Sequence, residues 1–215
     1  MQALIIGATG ATGQALLPLL ADTPQVAQIH SFGRRAPAFA HEKLHSHIID
    51  FARPQTWAES VRGDTIFACL GTTLQDAGSK EAQWQVDYEA NLAFARAARQ
   101  NGAQTLVLVS AFGADAHSRF FYPRMKGALE AALAELGFPH LVIFRPPLLI
   151  RPGSTRVSER LFVHCANFIT AAGLFKSQRP LHVAELAEAM RRTALNPPAE
   201  RVRVYQPEEI RALLK

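Results

Sequence analysis

Short apolar runs alternate with longer amphipathic stretches along most of this chain. Ala3–Ile6, Ile29–Phe32, His47–Ile49, Thr65–Cys69, Thr105–Val109, Leu141–Phe144 and Val202–Tyr205 read as strands. Helical patterns occupy residues 11–21, 54–62, 79–101, 123–137, 156–172 and 182–195. Short apolar strands separated by amphipathic helices imply right-handed crossovers and a parallel sheet covered on both faces. Gly71, Gly102, Gly113, Gly137 and Gly153 fall at the joints, where helix ends and turns need them. The alternation breaks between Pro146 and Pro180, where Arg151-Pro152-Gly153 precedes a further amphipathic stretch. In a doubly wound sheet, material inserted there tends to cover the carboxyl ends of the strands, where ligands bind. The expectation is an α/β fold, doubly wound and mainly parallel. It forms a single domain over residues 1–215, with 146–180 as a small C-terminal cap.

The first turn carries the most specific chemistry. The strand Ala3–Ile6 runs straight into Gly7-Ala8-Thr9-Gly10-Ala11-Thr12-Gly13, and a helical pattern follows. A buried strand that ends in glycines and opens a helix is how a Rossmann unit holds a dinucleotide. Gly7 permits the tight turn, Gly10 lets the backbone approach a pyrophosphate, and Gly13 lets the helix pack closely on the strand. The helix N-terminus then offers free N–H groups and a positive dipole end to the phosphates. The spacing is G-x-x-G-x-x-G rather than the commoner G-x-G-x-x-G.

Composition narrows the classes. At 215 residues, 48% hydrophobic and 19% charged, the chain is an ordinary globular protein able to bury its own core. No apolar run approaches the roughly 18 residues of a membrane span, and the N-terminal apolar stretch is too short for a secretory signal. Two cysteines, Cys69 and Cys165, suggest no disulfide framework, so a reduced cytoplasmic setting is expected. The net charge of +5 comes without any Lys/Arg block longer than two, which argues against a nucleic-acid groove and suits an anionic cofactor.

About twenty residues after the glycines, NAD-binding units carry an acid for the ribose 2′-hydroxyl. Here that place holds Gly33-Arg34-Arg35, without an acid. Guanidinium groups grip a 2′-phosphate that a carboxylate would repel, so Arg34 and Arg35 argue for NADP(H) over NAD(H). The bland alternative is a pair of solvated loop residues. Asp50, followed by Phe51, ends the third strand, either facing an adenine or capping a turn.

Ser110 follows the fifth strand, and Tyr122-Pro123-Arg124-Met125-Lys126 comes twelve residues later. Tyr122 and Lys126, four apart, share one face of a helix. An ammonium near a phenol favours the phenolate, so the tyrosine can pass a proton to or from a carbonyl or alcohol oxygen. The Ser110 hydroxyl can hydrogen-bond that oxygen as charge develops on it. Pro123 is expected to begin the regular helix and leave Tyr122 at its lip.

The order of Gly7, Gly10, Gly13, Gly33-Arg34-Arg35, Ser110 and Tyr122-x-x-x-Lys126 resembles a short-chain dehydrogenase/reductase of the extended or atypical branch. Cys69-Leu70-Gly71-Thr72-Thr73, Ala77-Gly78-Ser79-Lys80 and Phe121-Tyr122 through Lys126-Gly127 resemble a narrower group, that of the Tat-interacting oxidoreductase and its bacterial relatives. The resemblance spans about residues 1–195. It implies an NADP(H)-binding fold with Ser110, Tyr122 and Lys126 as the catalytic set, Lys126 also holding the nicotinamide ribose. It further implies that Cys69, Leu70, Gly71 and Thr72 run beside the cofactor and that Arg145 and Pro146 lie near the nicotinamide. Many relatives carry an asparagine where this chain, read through Val86-Asp87, has Asp87.

Other residues read as structural. Cys69 and Cys165 fit core positions better than a nucleophile. His41, His45 and His47 lack a partner acid at ligand spacing, so no metal site is expected. Phe112, Phe120 and Phe121 either line an apolar substrate pocket or pack, and His182 caps or packs at the helix it opens. The functional expectation is an NADP(H)-dependent oxidoreductase acting on a small carbonyl or alcohol. The alternatives are an NADP(H)-binding regulatory or scaffold protein without turnover and an epimerase that recycles its nicotinamide. About 70 residues after the sixth strand leave little room for the bulky substrate of the latter. A homo-oligomer or a protein partner is compatible with either of the first two readings.

Overall fold

The structure is a computed structural model, and it describes residues 1–151 and 179–215. Its centre is a seven-stranded sheet, parallel throughout, in the order β3-β2-β1-β4-β5-β6-β9. The strands are β1 (Gln2–Ile6), β2 (Gln28–Gly33), β3 (Leu44–Ile48), β4 (Thr65–Ala68), β5 (Thr105–Val109), β6 (His140–Phe144) and β9 (Val202–Tyr205). A two-stranded sheet of β7 (Leu149–Ile150) and β8 (Leu181–His182) stands apart. The expected cap at 146–180 lies largely outside the described residues, as does Cys165.

Side-chain alternation along β1 builds both cores. Ala3 and Ile5 join one apolar cluster and Leu4 and Ile6 the other, all fully buried. The first cluster takes Leu16, Leu17 and Leu20 from α1 (Ala11–Ala21) and Leu186 and Met190 from α6 (Val183–Leu195). The second takes Phe94 and Ala98 from α4 (Asn91–Gln100) and Leu129 and Leu133 from α5 (Phe121–Ala134). Helices therefore cover both faces, as the apolar strands require. Between β1 and β4 the strand order reverses direction. That reversal opens a crevice at the carboxyl ends of these two strands.

Two expected helices differ. Residues 54–62 form two 3-10 turns, Pro54–Thr56 and Ala58–Ser60, instead of one helix. Trp57 separates them with φ −133°, which buries its ring and lets its indole N–H donate to the Asp50 carbonyl at 2.8 Å. The 79–101 pattern is one helical path, but it changes pitch. It runs from α3 (Lys80–Trp84) through a π turn (Gln85–Ala90) into α4. Before it stands the short α2 (Leu74–Ala77), and after β9 comes α7 (Pro207–Ala212); neither was expected.

Candidate active site

The glycine turn is built as its sequence demands. Gly7 has φ +79°, and a Cβ there would sit 2.4 Å from the Cys69 carbonyl group, so only glycine lets the β1 and β4 loops run side by side. A Cβ on Gly13 would meet the Gly7 carbonyl oxygen at 2.3 Å, so the first turn of α1 lies directly on the loop. Gly10 caps α1 with no side-chain hydrogen bond, leaving the first-turn N–H groups facing outward for an anion. Ala8 and Thr12 are buried, while Thr9 is exposed and Ala11 half-buried. This cradle fits the pyrophosphate of a dinucleotide.

Arg34 and Arg35 follow β2 immediately, both exposed and without a partner among the described residues. Asp50 caps a turn: its Oδ1 accepts from the Ala52 N–H at 3.0 Å, and its Oδ2 lies 3.6 Å from Arg53. Phe51 packs edge-on against Trp57 beneath it.

On the other side of the crevice the 69–72 loop is pinned from below. The Thr72 N–H donates to Asp87 Oδ2 at 2.8 Å, and Asp87 Oδ1 lies 2.9 Å from Lys126 Nζ. Gly71 leaves room for that carboxylate, since a Cβ there would stand 3.2 Å from Oδ1. Both charged side chains are almost wholly buried. Burial opposes the Lys126 ammonium, but Tyr122, Asp87 and Glu130 outweigh it and hold its pKa above the usual lysine value. Asp87 thus occupies the place read as a departure from the asparagine of relatives. It sits on the π turn, an irregularity common at functional sites.

Tyr122 and Lys126 do share a face: Nζ lies 5.8 Å from the phenol ring centre, and the tyrosine is 42% exposed. The helix begins two residues earlier than expected, at Phe121, so Tyr122 is already helical and Pro123 stands third. The proline is tolerated because first-turn N–H groups have no helical acceptor to lose. Ser110 is placed differently. Its buried hydroxyl donates to Glu130 Oε1 rather than facing the crevice openly. Glu130 in turn receives a forked pair of hydrogen bonds from Arg145, at 2.5 Å from Nη2 and 3.0 Å from Nε. The Arg145 guanidinium is therefore occupied, while buried Pro146 accepts the Phe112 N–H at 2.9 Å.

Sequence reasoning missed Glu130, one helical turn beyond Lys126, and Asn91. The amide of Asn91 donates to the carbonyls of Leu70, Val86 and Asp87 at 3.0–3.2 Å. It ties the 69–72 loop to the π turn, and its buried Oδ1 has no hydrogen-bond partner among the described residues. An asparagine in the apolar run Asn91–Ala95 was the available signal for it. Burial pushes the Cys69 thiol up to about 12, in keeping with a packing role. Phe112 and Phe120 are exposed, whereas Phe121 packs near Trp84 and under Lys80. His182 caps α6, its N–H donating to Glu185 at 2.8 Å.

Comparison with known proteins places this geometry. Residues 7–152 match the family described as NAD(P)H-binding. Relatives include the mitochondrial protein FMP52 of Eremothecium gossypii, 30% identical over 100% of this chain and 98% of its own. Another is the mitochondrial FMP52-2 of Scheffersomyces stipitis, 34% identical over 97% and 91%. These relatives are named as mitochondrial, which overturns the expected cytoplasmic setting. The fold matches the Bordetella bronchiseptica enzyme WbmH in complex with NAD+, with TM-score 0.73 and 16% identity over 95% of this chain and 74% of that one. It also matches the oxidoreductase ylbE of Lactococcus lactis, with TM-score 0.72 and 17% identity over 100% and 97%.

Proposed function

The chain belongs to the NAD(P)H-binding family, and from that premise we propose that it is an NADP(H)-dependent oxidoreductase of a small carbonyl or alcohol. The observation that carries this reading is the pairing of the Gly7–Gly13 cradle with a helical Tyr122 and Lys126 across one crevice. When bound, the nicotinamide supplies or accepts a hydride. Gly7, Gly10 and Gly13 hold the pyrophosphate against the N-terminus of α1, and Arg34 and Arg35 take the 2′-phosphate. Tyr122 gives its phenolic proton to the carbonyl oxygen in the reductive direction and takes it back in the oxidative one. Lys126, kept charged by Tyr122 and then Asp87, stands beside the phenol and is placed to hold the ribose. Ser110 polarises the same oxygen by exchanging its hydrogen bond to Glu130 for one to the substrate. Phe112 and Phe120, both exposed and lying between Ser110 and Tyr122 in the sequence, supply apolar surface for the organic part of such a substrate. The likeness of the 69–73, 77–80 and 121–127 segments to the Tat-interacting oxidoreductase group supports the same assignment.

A second reading, NADP(H) binding without turnover, is favoured by one observation: the Ser110 hydroxyl is already committed to Glu130. Tyr122→Phe separates the two. With a carbonyl panel presented to the NADPH-loaded protein, the oxidoreductase reading expects oxidation of NADPH that this variant abolishes, with cofactor affinity nearly unchanged. Tight NADPH binding with no oxidation across the panel supports binding alone, and turnover that survives Tyr122→Phe removes the tyrosine from the mechanism.

A further inference from the structure

The edge pair β2 and β3 carries a group of imidazoles that the cofactor reading does not use. The register sets His30 opposite His45 and Phe32 opposite His47, so all three histidines project from one face of the sheet. His30 Nδ1 faces His47 Nε2 at 3.1 Å, and His30 Nε2 lies 3.4 Å from Gln28 Oε1. The His47 ring lies flat on Phe32, with centroids 4.4 Å and planes 9° apart, and Phe32 is buried against Phe94. His45 stacks on His30 with centroids 5.2 Å and planes 27° apart.

Two imidazole nitrogens that each bind a tetrahedral zinc ion at about 2.05 Å stand about 3.3 Å apart. The His30–His47 separation is within a few tenths of an ångström of that bite. In the tautomer whose Nε2 hydrogen is directed to Gln28 Oε1, His30 Nδ1 accepts the hydrogen of His47 Nε2; an arriving ion displaces that hydrogen, and His47 then carries its proton on Nδ1. A carbonyl accepting the far N–H is the outer-shell arrangement that orients metal-ligating histidines. Both rings also sit on paired strands and are held by stacking, so little order is lost when an ion arrives. Among the described residues no three His, Cys, Asp or Glu side chains are arranged to hold an ion, which limits the protein's contribution here to two ligands.

We propose that His30 Nδ1 and His47 Nε2 form a two-histidine chelate for a zinc-like divalent transition ion, water completing its shell. Imidazole pairs suit zinc, copper and nickel rather than calcium or magnesium. The pair lies on the edge strands and uses none of the residues assigned to cofactor or substrate, so its test is independent of the oxidoreductase reading.

The test titrates the full chain with zinc chloride at neutral pH and follows the histidine ring nitrogens by long-range 1H–15N correlation, a signal that zinc on a cysteine does not move. The expected result is saturable uptake with His30 Nδ1 and His47 Nε2 shifting together. His30→Gln and His47→Ala each abolish it, while His45→Ala retains it, with amide spectra confirming that all three variants are folded. Unmoved His30 and His47 rings at saturating zinc, or uptake that persists in the folded His30→Gln and His47→Ala proteins, overturns the proposal.

Discussion

Lys126 Nζ lies 2.9 Å from Asp87 Oδ1, and the two side chains are 4% and 1% exposed. The same carboxylate accepts the Thr72 N–H, so one buried acid holds both the lysine of the crevice and the loop after β4. Removing one partner of such a pair leaves the other charge buried and uncompensated. Asp87→Ala is expected to destabilise the fold by roughly 3–5 kcal/mol, read as a shift in the urea midpoint. A change below about 1 kcal/mol would show that the pair is open to water.

The second buried network sets Ser110, Glu130 and Arg145 in a row. Glu130→Ala leaves the guanidinium half-buried and unpaired, and is expected to cost about 3 kcal/mol. Ser110→Ala removes only a donor to a carboxylate that keeps its arginine, at about 1–2 kcal/mol. Equilibrium unfolding of the two variants should rank them in that order, and the reverse ranking would break the network as described.

Gly7 is constrained twice, by its φ of +79° and by the β4 loop 2.4 Å from where a Cβ would stand. Gly7→Ala is expected to cost at least about 2 kcal/mol in stability and to displace the cofactor cradle. Gly10→Ala is milder, since its Cβ would meet only the Gly7 oxygen at 3.2 Å. Thermal unfolding of the pair with and without NADPH checks both the size and the order.

The edge histidines make a pH prediction. Partial burial first, and then neighbouring imidazoles, hold His30 and His47 below the ordinary value of 6.5. As pH falls through 6.5 the unfolded chain takes up protons that the folded one resists, so stability declines and the loss is complete only below the folded values. Above that window the pair contributes no pH dependence. Urea unfolding at pH 5.5 and 7.5 should show the decline, and His47→Gln should reduce it; an unchanged slope would contradict the sign.

Much of this was legible in the chain. Apolar runs marked the seven strands of the main sheet to within a few residues, most sharply β1, β4, β5 and β6, which are buried on both faces, while the edge strand β3 is largely exposed and its start was misplaced by three residues; the glycine turn named its own fold. The Tyr122–Lys126 face also follows from spacing alone. The partners of those residues do not. Asp87 reaches Lys126 only because the chain passes through a π turn, and Glu130 reaches Ser110 only because α5 lies across the ends of β5 and β6. Such contacts are set by packing between elements, which periodicity does not encode. Trp57 shows the same limit on a smaller scale: a buried ring bonded to the Asp50 carbonyl broke a pattern that read as one helix.

NADP(H) recognition at the Gly7 crevice is tested most directly by titrating the wild-type protein and Arg34→Ala with NADPH and NADH, following nicotinamide fluorescence. The expected result is tighter binding of NADPH by the wild type, with Arg34→Ala losing about tenfold or more for NADPH while NADH affinity stays nearly constant. An equal loss for both nucleotides would contradict the 2′-phosphate assignment, and binding of neither by the wild type would contradict the whole account.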